Sequence, residues 1–164
     1  MWYTLGVFLS AMPQKIFRRL LSIFIFPALV FFLNYFLYKT TTIYETQWWA
    51  DVVMHFLGGW SIAYGAFLAV AWAEEKQYLT IKRWLARCLI VVMLVLSTAV
   101  FWEFYEFILD HFWQTLNQPS VADTMMDFFM GLLGGILGCF IATLTKIVPL
   151  APKPVARKNK SNRR

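Results

Sequence analysis

Three short stretches carry most of the residues able to do chemistry: DVVMH from Asp51 to His55, EFYE from Glu103 to Glu106, and DTMMD from Asp123 to Asp127. At about 100° per residue, Asp51 and His55 share one helix face, Glu103, Glu106 and Asp110 a second, and Asp123 and Asp127 a third. Carboxylates joined by one imidazole suit a divalent cation: Mg²⁺, Mn²⁺, Ca²⁺ or Zn²⁺. Such an ion would activate water and neutralise a phosphate. On this reading Asp51, His55, Asp123 and Asp127 are the metal ligands, and Glu103 or Glu106 is the general base. The reaction expected is a metal-dependent hydrolysis or transfer on a lipid-linked substrate.

The elements that must position these residues are membrane helices. Of the 164 residues, 60% are hydrophobic and 15% charged, with a mean hydropathy of +0.57, outside the range of soluble domains. Four apolar stretches are long enough to cross a hydrocarbon core of about 30 Å: residues 20–38, 52–73, 85–109 and 124–148. The expectation is an all-α integral membrane protein, a four-transmembrane-helix bundle forming one unit over residues 1–148, with Pro27 bending the first span. The opening residues 1–15 read as an interfacial segment and not a cleaved signal peptide, because they lack a basic start. Residues 149–164 read as a basic, disordered tail.

Fourteen of the fifteen Lys and Arg residues fall before span one, around the turn between spans two and three, or at and after the end of span four. Four spans put these regions on one side, and the positive-inside rule makes it the cytoplasm, with both termini there. Only Lys39 lies opposite. The tail reads as a juxtamembrane anchor on anionic headgroups, and no nucleic-acid partner is expected. Two cysteines, Cys88 and Cys139, imply no disulfide framework.

Seven of the nine acidic residues, and both histidines, map to the opposite side, where Lys39 is the one cation. At about 1.5 Å per residue, Cys88 to Glu103 covers roughly 22 Å of a core about 30 Å thick, so Glu103 falls below the outer boundary. His55, Glu103 and Asp127 form an inner tier; Asp51, Glu106 and Asp123 form an outer one. Gly131, Gly134 and Gly138 share the stripe of Asp127, and Gly58, Gly59, Ala66, Ala69 and Ala73 share that of His55. Small residues mark close helix approach, so the acids face the bundle interior. Carboxylates there need a cation, shared protons or a water-filled cavity.

Plainer roles compete at individual positions. Asp51 and Asp123 sit where first-turn acids cap helices, and His55 alone would read as a buried neutral imidazole. Glu103 and Glu106 lie at a helix C-terminus, where the dipole disfavours acids, so capping does not account for them. Trp48, Trp49, Trp102, Tyr105 and Trp113 read as an aromatic belt. The glycine run fits packing and not a phosphate loop, and Asn34 either completes the site or bonds a neighbouring helix.

The order DVVMHFLGG, FWEFYEF, DTMMDFFMGLLGG resembles small bacterial inner-membrane proteins of the YjdF type and, more distantly, the VanZ-like family associated with glycopeptide tolerance. The resemblance covers about residues 48–140. It implies that Asp51, His55, Glu103, Asp123 and Asp127 are the family's polar positions. The chain departs from the VanZ-like pattern at Val52, where a Lys is usual, and at Glu106, in the region where a Gln is common. Two further functions stay open from sequence. One is a proton- or cation-coupled transport element, which needs a polar path through Ser61, Ser97, Thr98, Thr143 and Thr145. The other is a binding or scaffold protein whose acids recognise amine headgroups or a partner.

Overall fold

The computed structural model describes residues 13–145; the expected interfacial opening, apart from Pro13 to Lys15, and the basic tail lie outside the described residues. Four long helices, α1 (Gln14–Thr40), α3 (Trp49–Glu75), α4 (Trp84–Trp113) and α5 (Val121–Thr145), are each long and apolar enough to cross a membrane. A one-turn helix, α2 (Ile43–Thr46), joins α1 to α3. No strand occurs among the described residues, and the all-α membrane bundle expected from hydropathy is what the chain forms. α1, α3 and α4 run beyond their apolar stretches at both ends. At about 1.5 Å per residue, 25 to 30 residues cover roughly 38–45 Å, so the helix ends reach past the hydrocarbon into the headgroup region. α5 is described as far as Thr145.

α3 is the central helix, packed against α1, α4 and α5. Its contact with α5 is backbone on backbone. A Cβ on Gly59 would run into the Gly131 carbonyl oxygen, and one on Gly134 would run into that of Phe56. One on Gly138 would lie 2.7 Å from the Ala63 Cβ. The next glycine, Gly135, faces α4, where an added Cβ would meet the Val95 side chain at 3.1 Å. In lipid no hydrophobic effect drives helices together, so this small-residue seam gains its energy from close packing.

α1 meets α3 by a different device. Pro27 has no N–H to donate to the carbonyl four residues back, which frees the oxygen of Ile23 inside an otherwise continuous helix. Gly65 sits against that oxygen: a Cβ there would approach it to 2.5 Å. The freed carbonyl thus faces an α3 backbone that comes close because residue 65 has no side chain. Outside this contact α1 is largely unburied by protein, with Phe24 60% and Phe32 63% exposed; these side chains meet lipid.

On α4 the buried face is a single stripe of Arg87, Val91, Val95, Glu103 and Glu106, apolar in the middle and charged at both ends. The apolar part joins Ala63, Ala66, Phe67, Cys139 and Ala142 in the core. At one end of the bundle Arg87 Nη2 lies 2.5 Å from Glu74 Oε2, both side chains buried. The Ile81 N–H donates to Glu74 Oε1 at 3.2 Å. Trp84 stacks on Phe67 with ring centroids 5.3 Å apart and carries the Arg87 guanidinium 5.6 Å above its ring. Beside this pair Arg19 bonds Glu75 at 2.5 Å, tying α1 to α3 at the surface.

Gly58 and Gly59 make a paired test of the seam, because a Cβ on Gly58 meets nothing within 4 Å. Gly59→Ala is expected to destabilise the bundle by about 1–3 kcal/mol through overpacking, while Gly58→Ala stays near wild type; thermal unfolding in detergent reads both. Glu74→Ala leaves Arg87 buried beside a missing partner and is expected to cost about 3–5 kcal/mol by the same measurement.

Candidate functional site

The seam between α3 and α5 brings the acid-bearing ends of three helices together. From α3, Asp51 and His55 lie on one face a turn apart. The Asp51 carboxylate, in the first turn of α3, lies 3.5 Å from His55 Nε2. From α5, Asp127 Oδ1 lies 3.6 Å from the same nitrogen. From α4, Glu103 and Glu106 form a second group around His55. In each triad, Asp51–His55–Asp127 and His55–Glu103–Glu106, the ligating atoms lie within 4.8 Å of one another. His55 therefore belongs to both, and the groups cut across the two tiers drawn from depth alone.

These groups are withdrawn from solvent. Asp127 is 2% exposed, Glu103 5% and Glu106 9%, while Asp51 is the most open member, its side chain 35% exposed. Asp127 Oδ2 and Glu103 Oε1 are buried without a hydrogen-bond partner. Buried acceptors of this kind cost a few kcal/mol each unless something satisfies them. Among the described residues no Lys or Arg pairs with any of these carboxylates. Lys39, the one cation expected on this side, lies 5.2 Å from the Tyr38 ring centroid. The ensemble is an oxygen-rich site with one imidazole and a deficit of positive charge.

The glutamates are oriented by residues that spacing alone did not single out. The Trp102 indole N–H donates to Glu106 Oε1 at 2.7 Å, a contact between residues four apart on one helix face. Trp102 is thus a site residue and not only part of an aromatic belt. Gln118 Nε2 donates to Glu103 Oε2 at 2.6 Å and to the Glu103 carbonyl at 3.1 Å. Gln118 is held in turn by Asp110, whose Oδ2 accepts the Gln118 N–H at 2.8 Å. Asp110 Oδ1 accepts from Thr115 Oγ1 at 2.6 Å, from the Asn117 N–H at 2.9 Å and from Asn117 Nδ2 at 3.0 Å. Asp110 therefore folds the α4–α5 loop that presents Gln118, although it shares a helix face with the glutamates. The available signal was the run QTLNQPS, a polar loop directly joining two acid-bearing helices.

Asp123 stands apart from both triads. It lies in the first turn of α5, its N–H donating to Ser120 Oγ at 3.2 Å, an arrangement in which Ser120 caps the helix and the acid complements its positive end. Its Oδ2 is nevertheless buried and unpartnered. His111 is exposed and packs its ring against Phe107 and Phe112, away from the site. Over the site, α2 supplies Tyr44, which donates its hydroxyl to Asn34 Oδ1. Burial first, then the charges of Asp51 and Glu106, push the Tyr44 phenol up to about 12, so it remains a donor at physiological pH.

Next to the triads a cavity of about 380 Å³ lies between α1, α3 and α4. Asp51, His55, Asn34 and Trp102 contribute its polar lining, and Phe24, Pro27, Phe31, Ile62 and Val95 its apolar walls.

A family model described as a predicted membrane protein, DUF2238, matches residues 3–146. The chain belongs to this family. The match takes in every residue of both triads, together with Trp102, Asp110 and Gln118. No curated protein and no solved structure matches the chain.

Removing the loop anchor separates positioning from the site itself. Asp110→Ala is expected to destabilise the protein by about 1–3 kcal/mol, since several charge-assisted hydrogen bonds are lost, and to expose the chain between α4 and α5 to protease. Thermal unfolding together with limited proteolysis checks this; an uncleaved loop at wild-type stability would remove Asp110 from that role.

Proposed function

We propose that this DUF2238 protein binds a divalent cation through Asp51, His55 and Asp127 and uses it in hydrolysis or transfer on a lipid-linked phosphate. The observation that carries the reading is Asp127. It is 2% exposed, has one oxygen 3.6 Å from His55 Nε2 and a second with no donor, and among the described residues no Lys or Arg pairs with it. A cation with a mixed oxygen and nitrogen ligand set meets that demand. Asp123, one turn nearer the helix start with a buried unpartnered oxygen, is a further ligand candidate.

A bound divalent ion supplies charge neutralisation for a phosphate and acidifies a water molecule. The chain's own groups account for the rest. Glu103 has Oε2 fixed by Gln118 and Oε1 without a partner, the arrangement of an oriented base with one oxygen available to take a proton. Glu106, held by Trp102, completes the second triad around His55. On this reading the protein sits in a bacterial inner membrane, and the Lys and Arg distribution supports an orientation with this end outside the cytoplasm and both termini inside.

A transport path has less support. Between the acid site and the Glu74–Arg87 pair, α3, α4 and α5 contribute the apolar cluster of Ala63, Ala66, Phe67, Val91, Val95, Cys139 and Ala142. Ser97 and Thr98 turn their hydroxyls back onto their own helix, to the carbonyls of Met93 and Leu94.

Metal content of detergent-purified protein, measured by mass spectrometry after loading and desalting, tests the assignment. Wild type is expected to hold stoichiometric metal. Asp127→Asn is expected to lower the affinity at least tenfold with unfolding temperature preserved, in line with the roughly 10–100-fold typical even of outer-shell changes. A wild type that stays metal-free after loading, or an Asp127→Asn protein that binds as well, would sink it.

A further inference from the structure

α1 and α4 both pack on α3, yet they scarcely pack on each other; Phe31 and Trp102 touch edge to face across the gap, centroids 6.0 Å apart. The gap is the cavity of about 380 Å³. Its volume lies at the small end of the roughly 300–1,000 Å³ typical of ligand pockets. One end is lined by Asp51 and His55 and the remainder mainly by apolar side chains such as Phe24, Phe31, Ile62 and Val95. The hydroxyls on its wall offer no open donor: Ser61 Oγ donates to the Gly58 carbonyl and Thr98 Oγ1 to that of Leu94, each at 2.8 Å.

Two of its lining residues, Phe24 and Phe32, are 60% and 63% exposed on a helix whose outer surface meets lipid. The cavity therefore opens sideways toward the bilayer while its far end reaches the acids. We propose that it receives one acyl chain of a bilayer phospholipid whose phosphate is held at the His55 site. The inference rests on the metal-dependent reading of that site and adds the substrate class: a lipid recognised at both ends, phosphate by the cation and chain by the gap between α1 and α4. A volume of about 380 Å³ leaves room for no more than one chain, and a second chain of the same lipid stays in the membrane.

Gly58 gives a way to fill the cavity without touching the triads. It lines the cavity, and a Cβ there meets nothing within 4 Å, so Gly58→Leu projects into the space the chain would take. Ala28→Phe blocks the same space from α1. The experiment is calorimetric titration of Mn²⁺-loaded full-length protein in detergent with oleoyl-lysophosphatidic acid and, separately, with glycerol 3-phosphate, which is the same headgroup without the chain. Wild type is expected to bind the oleoyl compound at least tenfold more tightly. Either variant is expected to abolish that advantage while keeping its metal content and its affinity for glycerol 3-phosphate. Equal affinities for the two probes in wild type, or an oleoyl advantage that survives in both variants, would overturn the proposal. A wild type that takes up no Mn²⁺ defeats the metal reading alone. The chain site is then judged on whether oleoyl-lysophosphatidic acid binds metal-free wild type more tightly than the two variants. A Gly58→Leu protein that fails to fold leaves the decision to Ala28→Phe.

Discussion

The contact between the backbones of α3 and α5 is the constraint on which the rest of the bundle depends. Gly59 against the Gly131 carbonyl and Gly134 against that of Phe56 set both the separation and the register of the two helices. His55 lies four residues before Gly59 and Asp127 four before Gly131, each one helical turn toward the acid-rich end. The register that seats the glycines therefore also sets His55 beside Asp127. In water a hydrophobic face would tolerate some sliding between helices, but in lipid the attraction is short-range packing, and it is lost when the small residues fall out of line. Site geometry and helix association are consequently one feature of the sequence.

The two ends of the bundle treat buried charge in opposite ways. At one end Arg87 and Glu74 neutralise each other at 2.5 Å, with Ile81 and Trp84 supplying further contacts. Burying such a pair costs desolvation that its own attraction roughly repays. At the other end, five ionisable side chains in the two triads meet with a single imidazole among them and with carboxylate oxygens left without donors. A chain that places Lys and Arg so freely elsewhere has no shortage of cations for this purpose. Arg87 itself shows that a guanidinium fits between these helices. The uncompensated end is thus a property of the residues chosen there, and it is the demand that the proposed cation would answer.

Much of this arrangement is legible from composition and spacing. The four spans follow from the apolar runs, and the convergence of Asp51, His55, Glu103, Glu106 and Asp127 follows from i, i+3 and i, i+4 spacing combined with the small-residue stripes. What the sequence does not display is pairing between segments. Helical periodicity gives the face on which Asp110 lies but not that its carboxylate turns onto residues 115–118, because a loop conformation has no period. Gln118 escaped for the same reason. Trp102 was hidden by its type: an indole near a membrane boundary has an ordinary role in the interface, and its N–H bond to Glu106 appears only once the side-chain rotamers are set. Arg87, counted among the orientation-setting cations, is instead buried in an ion pair, since its place on the stripe of Val91 and Val95 outweighs its residue type.

The placement of α1 links the fold to the cavity. A helix with little surface buried by protein would ordinarily be free to roll on its neighbour, but Pro27 and Gly65 give it a fixed point where the freed Ile23 carbonyl meets the α3 backbone. Arg19 and Glu75 add a second tie nearer the basic end, and Tyr44 bonding Asn34 a third at the acid-rich end. All three ties are local or run to α3, and none runs to α4, so α1 stays attached while the gap beside α4 persists. Filling that gap would take only larger side chains at Gly58, Ala28 or Ala99, all of which line it. Small residues from three helices at an unfilled space contrast with the seam between α3 and α5, where the same residue types bring backbones into contact. In one place glycine closes the distance between helices; in the other it keeps a volume open next to His55.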